Sequence, residues 1–374
     1  MKKILVYGLT QTRGGVESFL LNYYKNFNTN NIQMDFISNT PDTVYKEEVA
    51  ALGGKIFNVC SKKKNPLRFK KDMENIFKNH SNEYDAIWVN LCSLANIDYL
   101  KYAKKYGIKR RIVHSHNAAN MFGKLKETLH NYNKKRIDRY ATDFWACSDS
   151  AAKWFYKYDI LNSKKFRIIK NAVDTEKFSF DKKIRDEYRK ILNIENKYVL
   201  GNIGRFHFQK NHDFLIDVFK EVREKCDNSI LLLVGNGDLE EHIKEKVKNL
   251  GLEESVIFLG MRDDVNKIMQ AIDIFLMPSR FEGLPVAAVE AQSSGVRCLL
   301  SDTITKEIKV TDLIEFIGVK SKEDVNVWRD KILEYKLGYD RREMNEDMKK
   351  SGFEIKEAAK NLEDFLCGNL KSED

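Results

Sequence analysis

The sequence predicts an α/β protein with two doubly wound domains, each built on a parallel sheet with helices on both faces. Short apolar runs rich in β-branched residues alternate with amphipathic stretches from one end of the chain to the other. Most of these runs lack in–out alternation, which is typical of strands covered on both faces. They number about twelve, too many for one ordinary sheet, and 374 residues are enough for two domains.

Seven of the runs form a first series near the N-terminus. The predicted strands are 3–7, 32–37, 55–59, 85–90, 111–115, 143–147 and 166–169. The stretches between them predict helices at 16–27, 68–79, 94–106 and 124–140. This series predicts an N-terminal domain of residues 1–170.

A second series of five runs follows a polar stretch, 171–182, where we expect the domains to join. The predicted strands are 198–203, 230–234, 256–259, 274–277 and 297–300. The predicted helices are 212–226, 238–250, 263–271 and 286–294. These elements predict a second domain of residues 171–352. The remaining segment, 353–374, contains an apolar stripe that predicts a helix returning to the N-terminal domain.

The composition indicates a globular protein. Hydrophobic residues make up 43% of the chain and charged residues 32%. No apolar run approaches the roughly 20 residues that a membrane-spanning helix needs. The six cysteines are far apart in sequence, so they offer no zinc-binding spacing and are expected to be buried, reduced thiols. We therefore expect a cytoplasmic protein.

The charge is distributed unevenly along the chain. The net charge is +9, but residues 1–180 carry 32 Lys and Arg against 17 Asp and Glu, whereas the rest carries 32 against 38. A basic half favours an anionic partner such as a nucleic acid, an anionic membrane surface or a phosphorylated lipid. The alternative is a lysine-rich surface without a partner. Nucleic acid is disfavoured because the basic clusters contain few aromatic residues.

The basic residues of the first half form three clusters. They are Lys62-Lys63-Lys64 with Arg68, Lys70 and Lys71; Lys109-Arg110-Arg111; and Lys134-Lys135-Arg136. Clusters of this kind can hold a protein at the anionic face of a membrane. We therefore expect peripheral contact with the inner face of the cell membrane.

Ligands of doubly wound sheets bind beyond the carboxyl ends of the strands, so the strand-to-helix turns are the places to search. The first turn contains Gly14 and Gly15 at the start of a predicted helix. Two glycines there would let backbone N–H groups approach an anion, although a simple tight turn is an equal alternative. The second turn contains Arg205 and Lys210, which could neutralise a diphosphate. Ordinary surface charge is the alternative there.

A third turn, Gly235-Asn236-Gly237, follows strand 230–234. It departs from the dinucleotide-binding fingerprint because Glu240 occupies the third glycine position, so a nicotinamide cofactor is not expected. The fourth turn, 278–285, precedes an Ala-rich helix. Glu282 lies in this loop and Glu290 lies inside the helix, where carboxylates could accept hydrogen bonds from ribose or sugar hydroxyls. The alternative is one capping and one ordinary helix glutamate.

Two histidines end strand 111–115. His114 and His116 share a face of the strand because they are two residues apart. A metal site is not favoured since no third ligand is evident nearby. We expect one of these histidines to line the binding edge as a hydrogen-bond donor, with a packed strand-end histidine as the alternative.

Taken in order, these motifs resemble the retaining glycosyltransferases of family 4, which have the GT-B fold. The resemblance is greatest to bacterial enzymes of capsular polysaccharide and exopolysaccharide synthesis. The matching motifs are Gly14-Gly15 with Glu17, 114–117, Asn171–Asp174 with Phe178, Gly204-Arg205 with Lys210-Asn211, Val234–Gly237, Leu259-Gly260 and Glu282 with Glu290. The chain departs from the family at Ala172 and at Pro285, where many members have glycine. A GT-B fold implies two Rossmann-like domains facing across a cleft.

The resemblance implies a hexosyltransferase that takes a sugar from a nucleotide-diphosphate sugar, with UDP favoured over GDP. Arg205 and Lys210 would hold the diphosphate and stabilise it as the leaving group. Glu282 and the backbone amides of Gly283 and Leu284 would contact the transferred sugar. The sequence has no Asp-x-Asp triplet, so we expect a metal-independent enzyme in which Arg and Lys replace the cation. No cofactor is expected, because the nucleotide sugar is a substrate.

Further roles follow from the same resemblance. Glu290 would bond the ribose hydroxyls, Gly15 would approach the donor phosphate and His116 would reach the sugar. The nucleobase would lie near Met261 and Arg262. The residues implied in catalysis are Glu282, Arg205, Lys210 and His116. The other residues implied in donor binding are Gly14, Gly15, Gly235, Met261, Arg262, Gly283, Leu284 and Glu290.

The implied acceptor is a saccharide or a polyprenyl-diphosphate-linked saccharide of cell-surface polysaccharide synthesis, and no nucleic acid is expected as a partner. Two alternatives to a transferase remain. A sugar-nucleotide epimerase of the same architecture would bind the donor but would transfer nothing to an acceptor. A non-catalytic partner subunit is the other alternative, which the presence of Arg205, Lys210, Glu282 and Glu290 disfavours.

Overall fold

The computed structural model describes residues 1–120 and 123–369. The chain forms two compact units. Unit 1 contains residues 1–172 together with the chain from Ile355 onward, and unit 2 contains Val173–Glu354. The first unit boundary therefore lies between residues 172 and 173, and the second between residues 354 and 355. Each lies two residues further along the chain than the sequence predicts. Residues 370–374 of the predicted last segment lie outside the described residues.

Unit 1 is built on a parallel sheet. Within the described residues its strands are β1 (Lys2–Tyr7), β2 (Ile32–Ser38), β3 (Ile56–Asn58), β4 (Ala86–Leu91), β5 (Arg110–Ser115), β6 (Asp143–Ala146) and β7 (Phe166–Ile168). They lie in the order β3-β2-β1-β4-β5-β6-β7. Strands β2 and β3 lie on one side of β1, and β4 to β7 follow on its other side, as in a doubly wound sheet. The predicted parallel sheet is confirmed.

Helices connect these strands. They are α1 (Gly15–Asn26), α2 (Lys46–Ala51), α3 (Pro66–His80), α4 (Asp98–Lys105), α5 (Gly123–Lys134), α6 (Asp149–Phe155) and α7 (Tyr158–Leu161). Crossovers between parallel strands are right-handed, so connections that run in opposite directions along the sheet cover opposite faces. The β1–β2–β3 connections therefore place α1 and α2 on one face, and the β3–β4–β5–β6 connections place α3, α4 and α5 on the other.

Unit 2 is built on a second parallel sheet. Its strands in the described part of the chain are β8 (Tyr198–Ile203), β9 (Ser229–Val234), β10 (Val256–Gly260), β11 (Ile274–Met277), β12 (Arg297–Ser301) and β13 (Ile314–Ile317). They lie in the order β10-β9-β8-β11-β12-β13, so the sheet reverses direction at β8. The loops after β8 and β11 flank this switch point, where ligands of doubly wound sheets bind.

The helices of unit 2 cover both faces of its sheet. They are α8 (Thr175–Phe178), α9 (Lys182–Ile191), α10 (His212–Lys225), α11 (Glu240–Asn249), α12 (Val265–Ala271), α13 (Val286–Ser293), α14 (Lys322–Glu334) and α15 (Asn345–Lys350). The polar stretch 171–182, where the sequence predicts the join between the domains, contains α8 and the first residue of α9. Strand β13 and helix α14 were not predicted from the sequence.

The last described helix, α16 (Ile355–Cys367), belongs to unit 1. It packs on α1 and contributes Ile355, Ala359, Leu362 and Leu366 to the core of that unit. The Glu363 carboxylate accepts hydrogen bonds from the Asn28 backbone N–H at 2.7 Å and from Asn31 Nδ2 at 2.8 Å. The helix is thereby fixed by apolar packing and by a buried polar anchor.

Apolar burial holds each unit together. The core of unit 1 contains Phe19, Trp88 and Trp145, and the core of unit 2 contains Phe219 and Trp328. Among the described residues, none of the helices is both long enough and apolar enough to cross a lipid bilayer.

Candidate functional site

The loops that follow β8 and β11 are joined by hydrogen bonds at the switch point of unit 2. The Arg280 backbone N–H donates to Gln209 O at 2.8 Å, and Asn211 Nδ2 donates to Pro278 O at 3.1 Å. Asn211 has a φ of +59°, a conformation that asparagine tolerates better than most residues. Asn202 Nδ2, inside β8, donates to Leu276 O of β11 at 2.7 Å. These contacts fix the two loops relative to each other.

Lys210 and Glu282 form an ion pair across these two loops. Lys210 Nζ lies 2.8 Å from Glu282 Oε1. The other carboxylate oxygen, Oε2, accepts a hydrogen bond from Gln209 Nε2 at 3.1 Å. Glu282 is 8% exposed, and a buried carboxylate needs such partners because isolated charge is poorly solvated there. The structure therefore brings together two of the predicted catalytic residues, and adjacent residues of one loop hold both oxygens of the glutamate.

The aliphatic part of Lys210 lies over Gly204. A Cβ at Gly204 would lie 3.1 Å from Lys210 Cε and 3.2 Å from Cδ, so the absence of a side chain makes room for the lysine. Arg205, the next residue, is exposed. Burial lowers the pKa of His207, and the charges of Arg205 and Lys210 lower it further. The loop after β8 therefore presents a positive field, which suits a diphosphate.

Gly235 and Gly237 pack against the backbone of the loop after β8, which contains Arg205. Their φ angles are +135° and +156°, and a Cβ at either position would collide with the backbone of residues 204–206. The two turns are joined by hydrogen bonds from Phe206 N to Asn236 O and from Gly204 N to Val234 O, both 2.9 Å long. The structure assigns these glycines a packing role, since only glycine permits this close approach.

Glu290 lies in the second turn of α13, beyond Pro285, which caps the helix. Gly283 and Leu284, in the loop between Glu282 and Pro285, are both buried. Burial raises the pKa of Glu290 to about 7, and the nearby charge of Lys177 opposes this rise. A largely buried carboxyl group of this kind is a candidate partner for ligand hydroxyl groups.

Met261 and Arg262 follow β10. Met261 is 49% exposed. Arg262 makes two contacts with Asp264, from Nε to Oδ1 at 2.8 Å and from Nη2 to Oδ2 at 2.6 Å. The Arg262 guanidinium lowers the pKa of Asp264 to about 2, and Tyr188 Oη also donates to this carboxylate at 2.8 Å. The Arg262 side chain is therefore engaged, whereas the Met261 side chain is accessible for contact with a ligand.

In unit 1, Gly14 caps α1 and Gly15 is its first residue. Glu17 lies in the first turn and is 6% exposed, and its Oε1 accepts a hydrogen bond from Thr10 Oγ1 at 2.6 Å. A Cβ at Gly14 would lie 2.8 Å from Glu17 Oε2. The glycine therefore leaves room for a carboxylate that already interacts favourably with the positive end of the helix.

His116 follows β5, and its ring is already engaged in a hydrogen bond within unit 1. Its Nε2 lies 2.8 Å from Asn90 Oδ1, and the Asn90 amide is oriented by its Nδ2 donating to Tyr7 O at 3.2 Å. Burial lowers the pKa of His116 to about 3, so the ring is neutral. Because Nε2–H donates to Asn90, Nδ1 carries a lone pair. His116 therefore donates a hydrogen bond, but to Asn90, and its remaining nitrogen, Nδ1, can only accept one.

His114, the other strand-end histidine, is fully buried. Its ring lies against Phe19 at 5.1 Å and Trp88 at 5.9 Å between ring centroids. Burial, and secondarily the neighbouring His116, keep its pKa well below the ordinary value. His114 is thus a packed, neutral core residue, which is the alternative that the sequence analysis left open for one of the pair.

Three supporting residues were not part of the sequence analysis. They are Gln209, Asn202 and Asn90, whose side-chain amides each orient a loop or a site residue. A polar residue within an apolar strand was the available signal for Asn202 and Asn90. In residues 1–120 and 123–369, no group of three or more His, Cys, Asp or Glu side chains is placed to hold a metal ion. Metal independence itself stays a prediction.

Comparison with known proteins agrees with this architecture. The model of Glycosyltransferase Family 4 matches residues 13–177, and the model of glycosyl transferases group 1 matches residues 184–353. EpsF of Bacillus subtilis (strain 168), which bears the name of a glycosyltransferase, is 30% identical over 337 residues. This match covers 88% of the chain and 87% of EpsF.

Two further similarities concern one relative and one solved structure. A UDP-Gal:alpha-D-GlcNAc-diphosphoundecaprenol alpha-1,3-galactosyltransferase of Escherichia coli is 34% identical over 142 residues, or 37% of each chain. The crystal structure of Anabaena HepE in complex with UDP has a TM-score of 0.75 and 17% identity, and it covers 99% of this chain and 100% of HepE. HepE in complex with UDP-glucose has a TM-score of 0.73.

The two family models and the similarity to EpsF identify the chain as a glycosyltransferase. Its two doubly wound sheets have the architecture of the GT-B fold. The chain belongs to glycosyltransferase family 4. The resemblance noted from the sequence motifs and the predicted fold class are therefore both confirmed.

Proposed function

We propose that this glycosyltransferase transfers a hexose from a UDP-sugar to a saccharide on a polyprenyl diphosphate in cell-surface polysaccharide synthesis. The observation that carries the proposal is the cluster of Arg205, Lys210 and Glu282 at the switch point of unit 2. An exposed arginine in the same turn as a lysine is suited to a diphosphate.

The choice of UDP rests on relatives. HepE, a structural neighbour across the whole chain, forms crystals with UDP and with UDP-glucose. The name of the E. coli relative specifies UDP-Gal as its donor. In our proposal, Glu290 accepts hydrogen bonds from the ribose hydroxyls and the exposed Met261 contacts the nucleobase. The Arg262 backbone contacts the nucleobase in this proposal, while the Arg262 side chain stays paired with Asp264.

The chemical step breaks the bond between the sugar C1 and the diphosphate oxygen and forms a bond from C1 to the acceptor oxygen. Arg205 and Lys210 stabilise the negative charge that develops on the departing UDP, so no metal ion is required. We infer retention of configuration from membership of the family. The acceptor hydroxyl attacks from the face that UDP leaves, and a phosphate oxygen of UDP takes the hydroxyl proton.

The sugar itself is held by groups from both loops. Glu282 is oriented by Lys210 and Gln209, and in our proposal it and the neighbouring Gly283 and Leu284 contact the sugar. In unit 1, we assign Nδ1 of His116 to accept a sugar hydroxyl, because Nε2 is engaged with Asn90. Gly14 and Gly15 offer the N-terminus of α1 to the donor phosphates.

The acceptor assignment rests on charge and on the E. coli relative, whose name specifies a diphosphoundecaprenol acceptor. The first 180 residues carry a net charge of +15, which suits both a diphosphate-linked lipid and an anionic membrane face. We propose peripheral membrane contact, with Lys62–Lys64 and the nearby Arg68, Lys70 and Lys71 as the first candidate cluster and Lys134–Arg136 as the second.

A transfer assay tests the proposal. The purified protein is incubated with UDP-glucose, UDP-galactose, UDP-GlcNAc or GDP-mannose and with polyprenyl-diphosphate-linked saccharides, with and without EDTA. We expect transfer from a UDP-sugar, unchanged by EDTA, with retained configuration in the NMR spectrum of the product. Epimerised sugar nucleotide in the absence of acceptor would identify an epimerase. No turnover of any donor, together with no UDP binding by calorimetry, would contradict the proposal.

A further inference from the structure

Helix α5 exposes an apolar stripe on the surface of unit 1. Leu125 is 77% exposed, Leu129 43% and Tyr132 55%. Their spacing of four and three residues places the three side chains on one side of the helix. Single exposed apolar residues are common on protein surfaces, but a contiguous row along a helix marks an interaction site.

The opposite side of α5 is fixed to the rest of unit 1, so the helix cannot rotate to bury the stripe. His130 is 1% exposed, and its Nδ1 accepts a hydrogen bond from the Leu94 backbone N–H at 3.1 Å. Asn133 Nδ2 donates to Leu94 O at 2.7 Å, and Lys134 Nζ donates to Trp154 O at 2.7 Å. The side of α5 that faces the protein is thus fixed by polar residues, while its large apolar residues are exposed among its lysines, unlike those of an ordinary surface helix.

Cationic residues surround the stripe. Lys124, Lys126 and Lys135 are exposed, and the Arg136 guanidinium lies 4.8 Å from the centre of the Tyr132 ring. The one acidic residue of α5, Glu127, accepts a hydrogen bond from Asn120 Nδ2 at 3.1 Å. An apolar stripe edged by Lys and Arg is the pattern of a helix that lies in the interface of an anionic membrane.

Helix α3 presents the same combination on the same face of the sheet. Leu67, near its first residue, is 82% exposed. The exposed cations around it are Lys63, Lys64, Arg68, Lys70 and Lys71. Because the β3–β4 and β5–β6 connections cover the same face, α3 and α5 lie on the same face of the sheet, with α4 between them.

We propose that α5 docks unit 1 on an anionic bilayer, with Leu125, Leu129 and Tyr132 inserted at the boundary between headgroups and acyl chains. Lys124, Lys126 and Arg136 would then lie at the level of the lipid phosphates. The proposal rests on the proposed lipid-linked acceptor and names the element that contacts the membrane. A second copy of the chain fits the surface poorly, because a two-fold interface would bring this basic face against itself.

Vesicle co-sedimentation tests the inference with the full-length protein. The vesicles contain phosphatidylglycerol and phosphatidylcholine, or phosphatidylcholine alone. We expect the protein to bind the anionic vesicles, and we expect L125N/L129N to reduce the partition coefficient at least tenfold. The matched control is L337N, because Leu337 is a 99% exposed leucine of unit 2. Unchanged binding of L125N/L129N would overturn the inference.

Two further measurements separate the possible outcomes. The variant K124Q/K126Q should lower binding most at low salt, since screening removes the contribution of surface charges. If L125N/L129N instead changes the elution volume in size-exclusion chromatography and leaves vesicle binding intact, a second copy covers the stripe and the inference is wrong. Vesicle binding requires no turnover, so a failed transfer assay with intact, stripe-dependent binding would contradict the proposed function and leave this inference standing.

Discussion

At the scale of single residues, the loops after β8 and β11 are joined through one cation, Lys210. Lys210 is paired with Glu282 before any ligand binds, and Gln209 holds the second oxygen of that glutamate. A diphosphate that approaches Lys210 must therefore share it with a carboxylate. Arg205 is exposed and makes no ion pair among the described residues, so it is available to the ligand at once. Substitutions of the two cations should consequently have different effects.

We expect R205A and K210A each to lower the transfer rate by roughly 10²–10³, the effect typical of removing one group that stabilises a leaving group. K210A should also lower the melting temperature, because it leaves the buried Glu282 carboxylate without its cation. R205A should leave the melting temperature unchanged. The control is K244A, which removes an exposed lysine of the same unit. Wild-type turnover in R205A and K210A would contradict the assignment.

Glu290 offers a prediction on pH. Its pKa is raised from 4.5 to about 7 in the folded protein, so its ionisation destabilises the fold as pH rises from about 4.5 to 7. Glutamine cannot ionise. We therefore expect E290Q to be more stable than the wild type at pH 8, with the difference disappearing at pH 4.5, in urea titrations at a series of pH values.

The same variant separates the proposed roles of the two glutamates. E290Q should weaken UDP binding in isothermal titration calorimetry, since the ribose is its proposed partner. E282Q should bind UDP nearly as the wild type does and should transfer sugar more slowly. Equal UDP affinities for the two variants would show that this division of roles is wrong.

The sequence was enough to select these residues as candidates but not to predict their contacts; their chemical roles stay predictions. Arg205, Lys210 and Glu282 could be selected because charged residues in strand-to-helix turns are few and chemically specific. Gln209 and Asn90 could not, because an amide side chain gains its role only from the atoms that the fold brings near it. For the same reason, the acceptor role of His116 Nδ1 depends on a partner from another strand.

At the scale of elements, buried parallel strands and their crossover helices were predictable because their apolar runs are long and bounded by polar turns. The strands that the structure places at 198–203 and 274–277 have the predicted bounds. Helix α9 was missed because its sequence is largely polar, and tertiary contacts hold it: Arg189 Nη1 pairs with Asp273 Oδ2 at 3.2 Å. Helix α14 did carry a local signal, the capping box of Ser321 and Asp324.

The glycine turn after β9 gives a prediction at this scale. In G235A the new Cβ would collide with the backbone of Gly204 beneath the Arg205 loop, in addition to the strain of a positive φ. We expect G235A to destabilise unit 2 and to weaken UDP binding at least tenfold by calorimetry.

The matched control for this prediction is G251A. Gly251 also has a positive φ, +66°, but a Cβ there would meet no atom within 4 Å. Its cost should be limited to backbone strain of about 1 kcal/mol, with unchanged UDP affinity. If both variants bind UDP like the wild type, the turn does not support the donor loop.

At the scale of the whole molecule, the two units should respond differently to acid. Unit 1 contains three histidines whose pKa burial lowers: His114, His116 and His130. The unfolded chain binds protons at these positions below about pH 6.5, whereas the folded unit binds them only at lower pH. The three histidines therefore do not reduce the free energy of unfolding of unit 1 above pH 6.5. As pH falls below this value, that free energy decreases by up to about 1.4 kcal/mol per pH unit for each proton.

In unit 2 two opposite effects act over the same range. Burial lowers the pKa of His207, and it lowers that of His212 to about 3, so both favour unfolding as pH falls. Glu290 acts in the other direction, because its raised pKa makes the folded unit gain protons between pH 7 and 4.5. The net loss of stability on acidification should consequently be smaller in unit 2.

Scanning calorimetry from pH 7.5 to pH 5 tests this difference, in a range above the ordinary titration of most carboxylates. We expect two transitions whose separation changes with pH, with the transition of unit 1 falling more steeply. H114F keeps an aromatic ring against Phe19 and Trp88 and removes one titrating group, so it should flatten the pH dependence of unit 1 alone. H114L serves the same purpose if the larger ring does not fit. Transitions that shift in parallel in the wild type, with a slope unchanged in both variants, would show that the buried histidines do not set the acid stability.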